Sequence, residues 1–158
     1  PLATEANLLY AEALTANARY DEAEEVLEGI LQLRSARGRP HARALLGLSR
    51  NAEAAGRIKR AVPYAQRVFN VYRAYPELAG QGYLISARQF ADLDDLPAAY
   101  RTLEEMLAND AIARLPMATE AEALLASIEA RLPEGALDAA AADPEPSPTQ
   151  AEPEEAAL

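Results

Sequence analysis

Ala23, Ala61 and Ala99 lie 38 residues apart, and the residues around them recur in the same phase without a gap. Four and seven residues after each alanine stand Leu27 and Ile30, Ala65 and Val68, and Leu103 and Met106, so each alanine heads the apolar face of a helix. Upstream, Asn7/Tyr10/Ala11/Leu14, Leu45/Leu48/Ser49/Ala52 and Tyr83/Ser86/Ala87/Phe90 form a second stripe spaced i, i+3, i+4, i+7. A chain with this pattern builds one helical hairpin three times. No single hairpin can bury its own apolar face, so the units must stack.

Half of the 158 residues are hydrophobic, yet there is no Trp and only two Phe, and closely packed alanine-rich helices are the natural use of that mixture. No alternating β-branched runs or Asn-Gly turns support a sheet. The fold class is therefore all-α, a right-handed superhelix of antiparallel hairpins. Phase and breakers predict helices at 4–17, 21–34, 41–55, 59–74, 77–92, 96–109 and 117–132. Thr4 and Asp95 read as N-caps, Pro97 as a first-turn proline, Pro76 as the end of one repeat and Pro116 as the opening of the last helix. Pro63 falls a turn into its helix and implies a start near residue 60 or a distorted first turn.

A further step of 38 lands on Ala121, Leu124, Leu125 and Ile128, so 117–132 reads as the first helix of a fourth unit, a cap. The phase of Ala11, Ser49 and Ala87 must be small where two helices of a hairpin approach closely. Leu125 occupies that phase where no hairpin partner crowds it. The expected organisation is a repeat domain over 1–132, with repeats at about 4–38, 42–76 and 80–114. From Pro133 onward the chain turns to Ala, Pro, Glu, Asp, Ser and Thr, and 133–158 is expected to be a disordered acidic tail. The chain starts at Pro1 and enters a helical pattern almost at once, which reads as a piece of a longer protein or a processed product.

The net charge of −10 is unevenly spread. Residues 1–33 carry 1 basic and 7 acidic side chains, 34–73 carry 10 and 1, 74–132 carry 4 and 10, and 133–158 carry 0 and 7. Fourteen of the fifteen basic residues are arginine, which suits forked pairing with carboxylates. The middle repeat is thus placed to neutralise its neighbours in the stack. Absence of cysteine excludes disulfides and thiolate metal sites and fits the cytoplasm or the cell envelope. No apolar stretch approaches the ~18 residues of a membrane span.

Paired amphipathic helices, small residues at the intra-hairpin contact and an alanine near the start of each second helix resemble the tetratricopeptide repeat. Repeats of that family are about 34 residues long, and the longer unit here implies longer helices or inter-repeat turns. The family's early aromatic is displaced, with Tyr10, Tyr83 and Phe90 supplying the bulk. The stretch Ala65-Gln66-Arg67-Val68-Phe69 to Tyr75-Pro76, followed by Tyr83-Leu84 and Ala87, is similar to the longer repeats of bacterial envelope proteins. Chaperone-binding members clamp a terminal carboxylate with Lys, Asn and Arg. The matching columns here hold Leu8, Glu12, Leu46 and Arg50, so that clamp is not implied.

In such a stack the first helices line a concave side. One column of residues is Leu8, Leu46 and Leu84; the next is Glu12, Arg50 and Arg88; a third is Glu5, Arg43 and Gln81. A leucine ladder flanked by Arg43, Arg50 and Arg88 suits a peptide or partner helix with an apolar ridge and acidic groups. The competing reading puts the leucines in the core and pairs the arginines with Glu53 or Asp92. Catalysis has little support. His41, the one histidine, follows Arg39-Pro40 with no ligand at helical spacing and reads as a surface or capping residue. Asp92, Asp94 and Asp95 lack the glycine and distant glutamate of a calcium loop, and Glu24, Glu25, Glu104 and Glu105 read as surface charge. No metal or cofactor is called for. Nucleic-acid binding through the arginine-rich second repeat is disfavoured, because flanking repeats and tail are acidic. The expected function is a non-enzymatic protein-binding module, with the end segment of a longer solenoid, packed on upstream repeats, as the alternative.

Overall fold

A computed structural model describes residues 2–133 and 135–137. The acidic tail lies outside the described residues except for its first few positions. Among the described residues eight α-helices follow in order: α1 (Leu2–Ala16), α2 (Tyr20–Gln32), α3 (Arg39–Ala54), α4 (Ile58–Val71), α5 (Pro76–Asp92), α6 (Leu96–Leu107), the single turn α7 (Asp110–Ala113) and α8 (Met117–Glu129). A 3-10 turn, Arg34–Ala36, joins α2 to α3. No strand occurs among the described residues. Helices α1/α2, α3/α4 and α5/α6 pack as hairpins, each second helix also packs on the first helix of the next hairpin, and α8 closes against α6. The architecture is an all-α solenoid of the expected kind.

The phase rule decides the close contacts. Ala11, Ser49 and Ala87 on the first helices and Ala23, Ala61 and Ala99 on the second are all at most 1% exposed. Only small side chains let the two backbones of each hairpin come this close. Leu125, in the same phase of α8, is larger and only partly buried, because α8 has no hairpin partner among the described residues.

The turn inside each hairpin repeats as faithfully. Ala18, Gly56 and Asp94, again 38 apart, all adopt left-handed backbone, with φ of 59°, 72° and 62°. Behind each, the next amide reaches back around the helix end: Arg19 N–H to Leu14 O, Arg57 N–H to Ala52 O and Asp95 N–H to Phe90 O, at 2.7–2.9 Å. This is a Schellman-type stop, and alanine is a poor occupant of its left-handed position. Ala18→Gly is expected to raise stability by up to about 1 kcal/mol and Gly56→Ala to lower it by about 1 kcal/mol, read as opposite shifts of the thermal midpoint.

Several expected details are corrected. Helix α1 begins at Leu2, so Thr4 lies inside it and is not its N-cap. Asp95 does cap α6, its carboxylate accepting from the Ala98 amide at 3.1 Å. Helix α4 starts at Ile58 and carries Pro63 inside. Pro76 opens α5 rather than closing the preceding repeat. The 3-10 turn and α7 occupy the inter-repeat connections, which is where part of the extra repeat length goes. Asn7 and Tyr10, read as core-facing, are exposed, whereas their counterparts Leu45 and Leu48 are at most 1% exposed. In α3 those positions are covered by α2; nothing among the described residues precedes α1 to cover it.

Candidate functional site

Helix α1 packs directly on α3, and α3 on α5, while the second helices make their extensive contacts only with first helices. The first helices therefore share one face of the stack, the concave side. That face holds a pocket of about 440 Å³ lined by Leu8, Ala11, Glu12, Thr15 and Ala16 of α1, Leu27 of α2, Arg43, Leu46, Gly47 and Arg50 of α3, and Leu78 and Gln81 of α5. An apolar floor with a few convergent polar groups at the rim is the usual composition of a binding cleft.

Five of the seven sequence-predicted partner residues, Leu8, Glu12, Arg43, Leu46 and Arg50, meet in this pocket. The other two do not. Leu84 is buried in a core with Phe69, Tyr83 and Leu103, and Arg88 is ion-paired with Glu120 of α8. The leucines are 2–5% exposed, so they form the floor of the groove rather than a protruding ridge. Gly47 was not singled out in the sequence, although its place in the repeat held the signal: its counterparts are Leu9 and Ile85, and a side chain is missing there. A Cβ on Gly47 would lie 2.9 Å from Leu27 Cδ2. The gap in the column thus lets Leu27 reach the groove floor.

The rim is electrostatically graded. Arg43 donates to both oxygens of Glu5, at 2.7 Å and 2.5 Å, and this holds the Glu5 carboxyl below the usual carboxylate range. Arg50 is exposed and, among the described residues, donates only to the neutral amide oxygen of Gln81, at 3.2 Å. The arginines do not pair with Glu53 or Asp92. Elsewhere the middle repeat neutralises its neighbours: Arg57 pairs with Asp21 and Glu24, Arg60 with Glu24, and Arg39 with Glu77. Glu24, expected as plain surface charge, is the shared acceptor of two arginines.

Two polar clusters between repeats, each of two contacts, are not legible in the sequence. The Thr15 hydroxyl lies 2.9 Å from Asn51 Oδ1, and Asn51 Nδ2 donates to the Tyr20 carbonyl at 2.9 Å. One repeat later, Gln89 Nε2 donates to Glu53 Oε2 and Ser49 Oγ, both at 2.9 Å. Asn51 and Gln89 share one phase, and Thr15 and Glu53 another, so the same pairing fixes the register at both junctions. Of the two readings of His41, surface or capping, the structure has the second: it is 8% exposed, and its Nε2–H donates to the Leu33 carbonyl at the end of α2, 3.0 Å away. It caps a helix from inside the core.

Glu105, expected at the surface, accepts a 2.7 Å hydrogen bond from the Tyr83 hydroxyl, and the Tyr83 ring stacks on Phe69 with centroids 3.9 Å apart. Desolvation, then the adjacent carboxylate, push the Tyr83 phenol well above its ordinary value of 10.0. The native state therefore keeps a proton there that the unfolded chain releases. Stability is expected to fall as pH rises above about 10, and less steeply in Tyr83→Phe, as chemical denaturation at successive pH values would show.

Compared with known families, residues 3–74 match the family described as tetratricopeptide repeat. That match spans the first two hairpins, and the third repeats their packing, turns and small-residue contacts. Over residues 3–74 the chain is tetratricopeptide-like. No curated protein and no solved structure matches it. Tetratricopeptide repeats are in general protein-interaction modules and typically non-enzymatic scaffolds. No helix among the described residues is long and apolar enough to cross a membrane.

Proposed function

We propose that this tetratricopeptide-like stack is a non-enzymatic interaction module that takes an apolar residue of a peptide or partner helix, flanked by acidic groups, into the concave groove. The observation that carries this reading is the pairing of an apolar floor, Leu8, Leu27, Leu46 and Leu78, with an exposed guanidinium, Arg50, that has no carboxylate partner among the described residues. Such a cation, beside an apolar site, selects a carboxylate on whatever enters. Arg43 is held by Glu5 and Arg88 by Glu120, so the selection of acidic groups narrows from three arginines to Arg50. Four of the ten basic residues in 34–73, Arg39, Arg43, Arg57 and Arg60, are committed to neighbouring carboxylates, and together with the acidic flanking segments this favours a protein ligand over nucleic acid.

A displayed peptide library panned against the chain tests this. The expected winners place Asp or Glu beside a large apolar residue, and Arg50→Glu is expected to weaken them by about tenfold to a hundredfold, a loss of 1.4–3 kcal/mol. Winners without acidic residues, or winners whose binding Arg50→Glu leaves unchanged, would overturn the assignment.

A further inference from the structure

The stretch Pro153-Glu154-Glu155-Ala156-Ala157-Leu158 has the form of the ligand proposed for the groove, a large apolar residue beside acidic groups. It belongs to the chain itself, and residues 138–158 lie outside the described residues. Proline in a first turn, two acids behind it and then alanine and leucine are the pattern of a helix start, too short to hold without a partner. As one helical turn the stretch brings Glu154 and Leu158 to one face, about 6 Å apart along the axis. Arg50 and Leu46 stand at the same spacing on α3, at the rim and floor of the pocket.

Charge directs the tail to the middle of the stack. Residues 133–158 carry seven acidic and no basic side chains, and 1–33 and 74–132 are each net acidic, so only 34–73, with ten basic and one acidic, attracts it. Of the two arginines which that segment gives to the groove, Arg43 is taken by Glu5 and Arg50 is open. Direction and reach agree with this. The repeat runs α3, α5 and α8 the same way, so the chain leaves α8 at the end of the stack where Arg50 lies, near the end of α3. A tail that enters there and runs antiparallel to α3 sets Glu154 against Arg50 and then Leu158 against Leu46. Helix α8 packs on α5 and α5 on α3, two steps of about 10 Å each. Glu154 follows Leu132, which packs on the core beside α8, by 22 residues, and as a flexible coil that length spans roughly 25 Å. A link whose length matches its span gives an effective concentration on the order of 1 mM.

We infer that residues 153–158 occupy the chain's own groove, so that a partner binds by displacing them; this rests on the groove reading above. The contact uses side chains and no chain end. A segment that binds in isolation at about 0.1 mM would, at that effective concentration, weaken an outside peptide about tenfold. Methyl-resolved NMR compares the full chain with its triple variant Glu154→Lys, Glu155→Lys, Leu158→Ser. The Leu8 and Leu46 methyls are expected to differ between the two forms by the same amount at every concentration. Groove methyls alike in both forms would overturn the inference. So would a difference that grows with concentration, the mark of a tail in another copy's groove, or one centred on Leu33, beside the exposed Arg34 and Arg37. Fluorescence anisotropy of a peptide selected by display separates this inference from the groove reading. The triple variant is expected to bind that peptide about tenfold more tightly than the native chain. Equal affinities that Arg50→Glu lowers in both forms would overturn self-occupancy and leave the groove reading standing. Affinities that Arg50→Glu lowers in neither form would overturn both.

Discussion

Leu45→Ala is expected to lower unfolding free energy by about 2–5 kcal/mol, whereas Asn7→Ala, in the same phase of the repeat, is expected to change it by no more than about 0.5 kcal/mol. The difference comes from neighbours and not from pattern. Leu45 is 0% exposed, sits in the core cluster with Leu27, Ile30 and Leu48, and is enclosed by the α2/α3 junction. Truncation removes its contacts and leaves a cavity that helices fixed at both ends cannot close. Asn7 occupies the equivalent site on α1 and is exposed. Urea denaturation of the two variants measures the contrast. Similar losses would mean that position 7 is enclosed in solution as position 45 is.

Gly82→Leu is expected to be more damaging still, with a loss of more than about 3 kcal/mol or failure to fold. Helix α5 crosses α4 at this residue so closely that an added Cβ would lie 2.9 Å from the Ala65 carbonyl oxygen and 3.2 Å from Val68 Cβ. A backbone oxygen cannot rotate aside as a side chain can, so the helices must separate. Gly82→Ala isolates the effect. Alanine is favoured over glycine in a helix by about 1 kcal/mol, and a net destabilisation would show that close approach outweighs propensity. Gly29, in the middle of α2, has nothing within 4 Å of a Cβ, and Gly29→Ala is the internal control, expected to stabilise.

The sequence carries the architecture because stacking depends on residue size in a fixed phase. Ala23, Ala61 and Ala99 had to be small, and their spacing alone located three hairpins and the start of a fourth unit. What escaped follows from forces that phase does not encode. Tyr10 matched the apolar stripe, yet burial depends on whether a helix precedes it, and no pattern within α1 reports that. His41 has no ligand spacing, and the sequence leaves it as surface or cap without choosing, because its partner is a backbone carbonyl at the end of the preceding helix, and any residue can present a carbonyl. Leu8, Glu12, Arg43, Leu46 and Arg50, which share columns in the sequence, line one pocket. Leu84 and Arg88 follow the same columns, but α8 approaches them and Glu120 takes Arg88 out of the groove. Asn51 and Gln89 were legible in principle as amides sharing a phase among apolar neighbours. Their role appears only when Thr15 and Glu53, in the adjoining repeat, are seen to face them.

The central claim, that the concave face is where a partner docks, is tested most directly by methyl-resolved NMR of the chain with a peptide selected by display. Shift changes are expected at Leu8, Leu27, Leu46 and Leu78, with small changes at Val71, which is exposed on α4. Changes centred on Val71 or elsewhere on the second helices, with the four groove leucines unmoved, would contradict it.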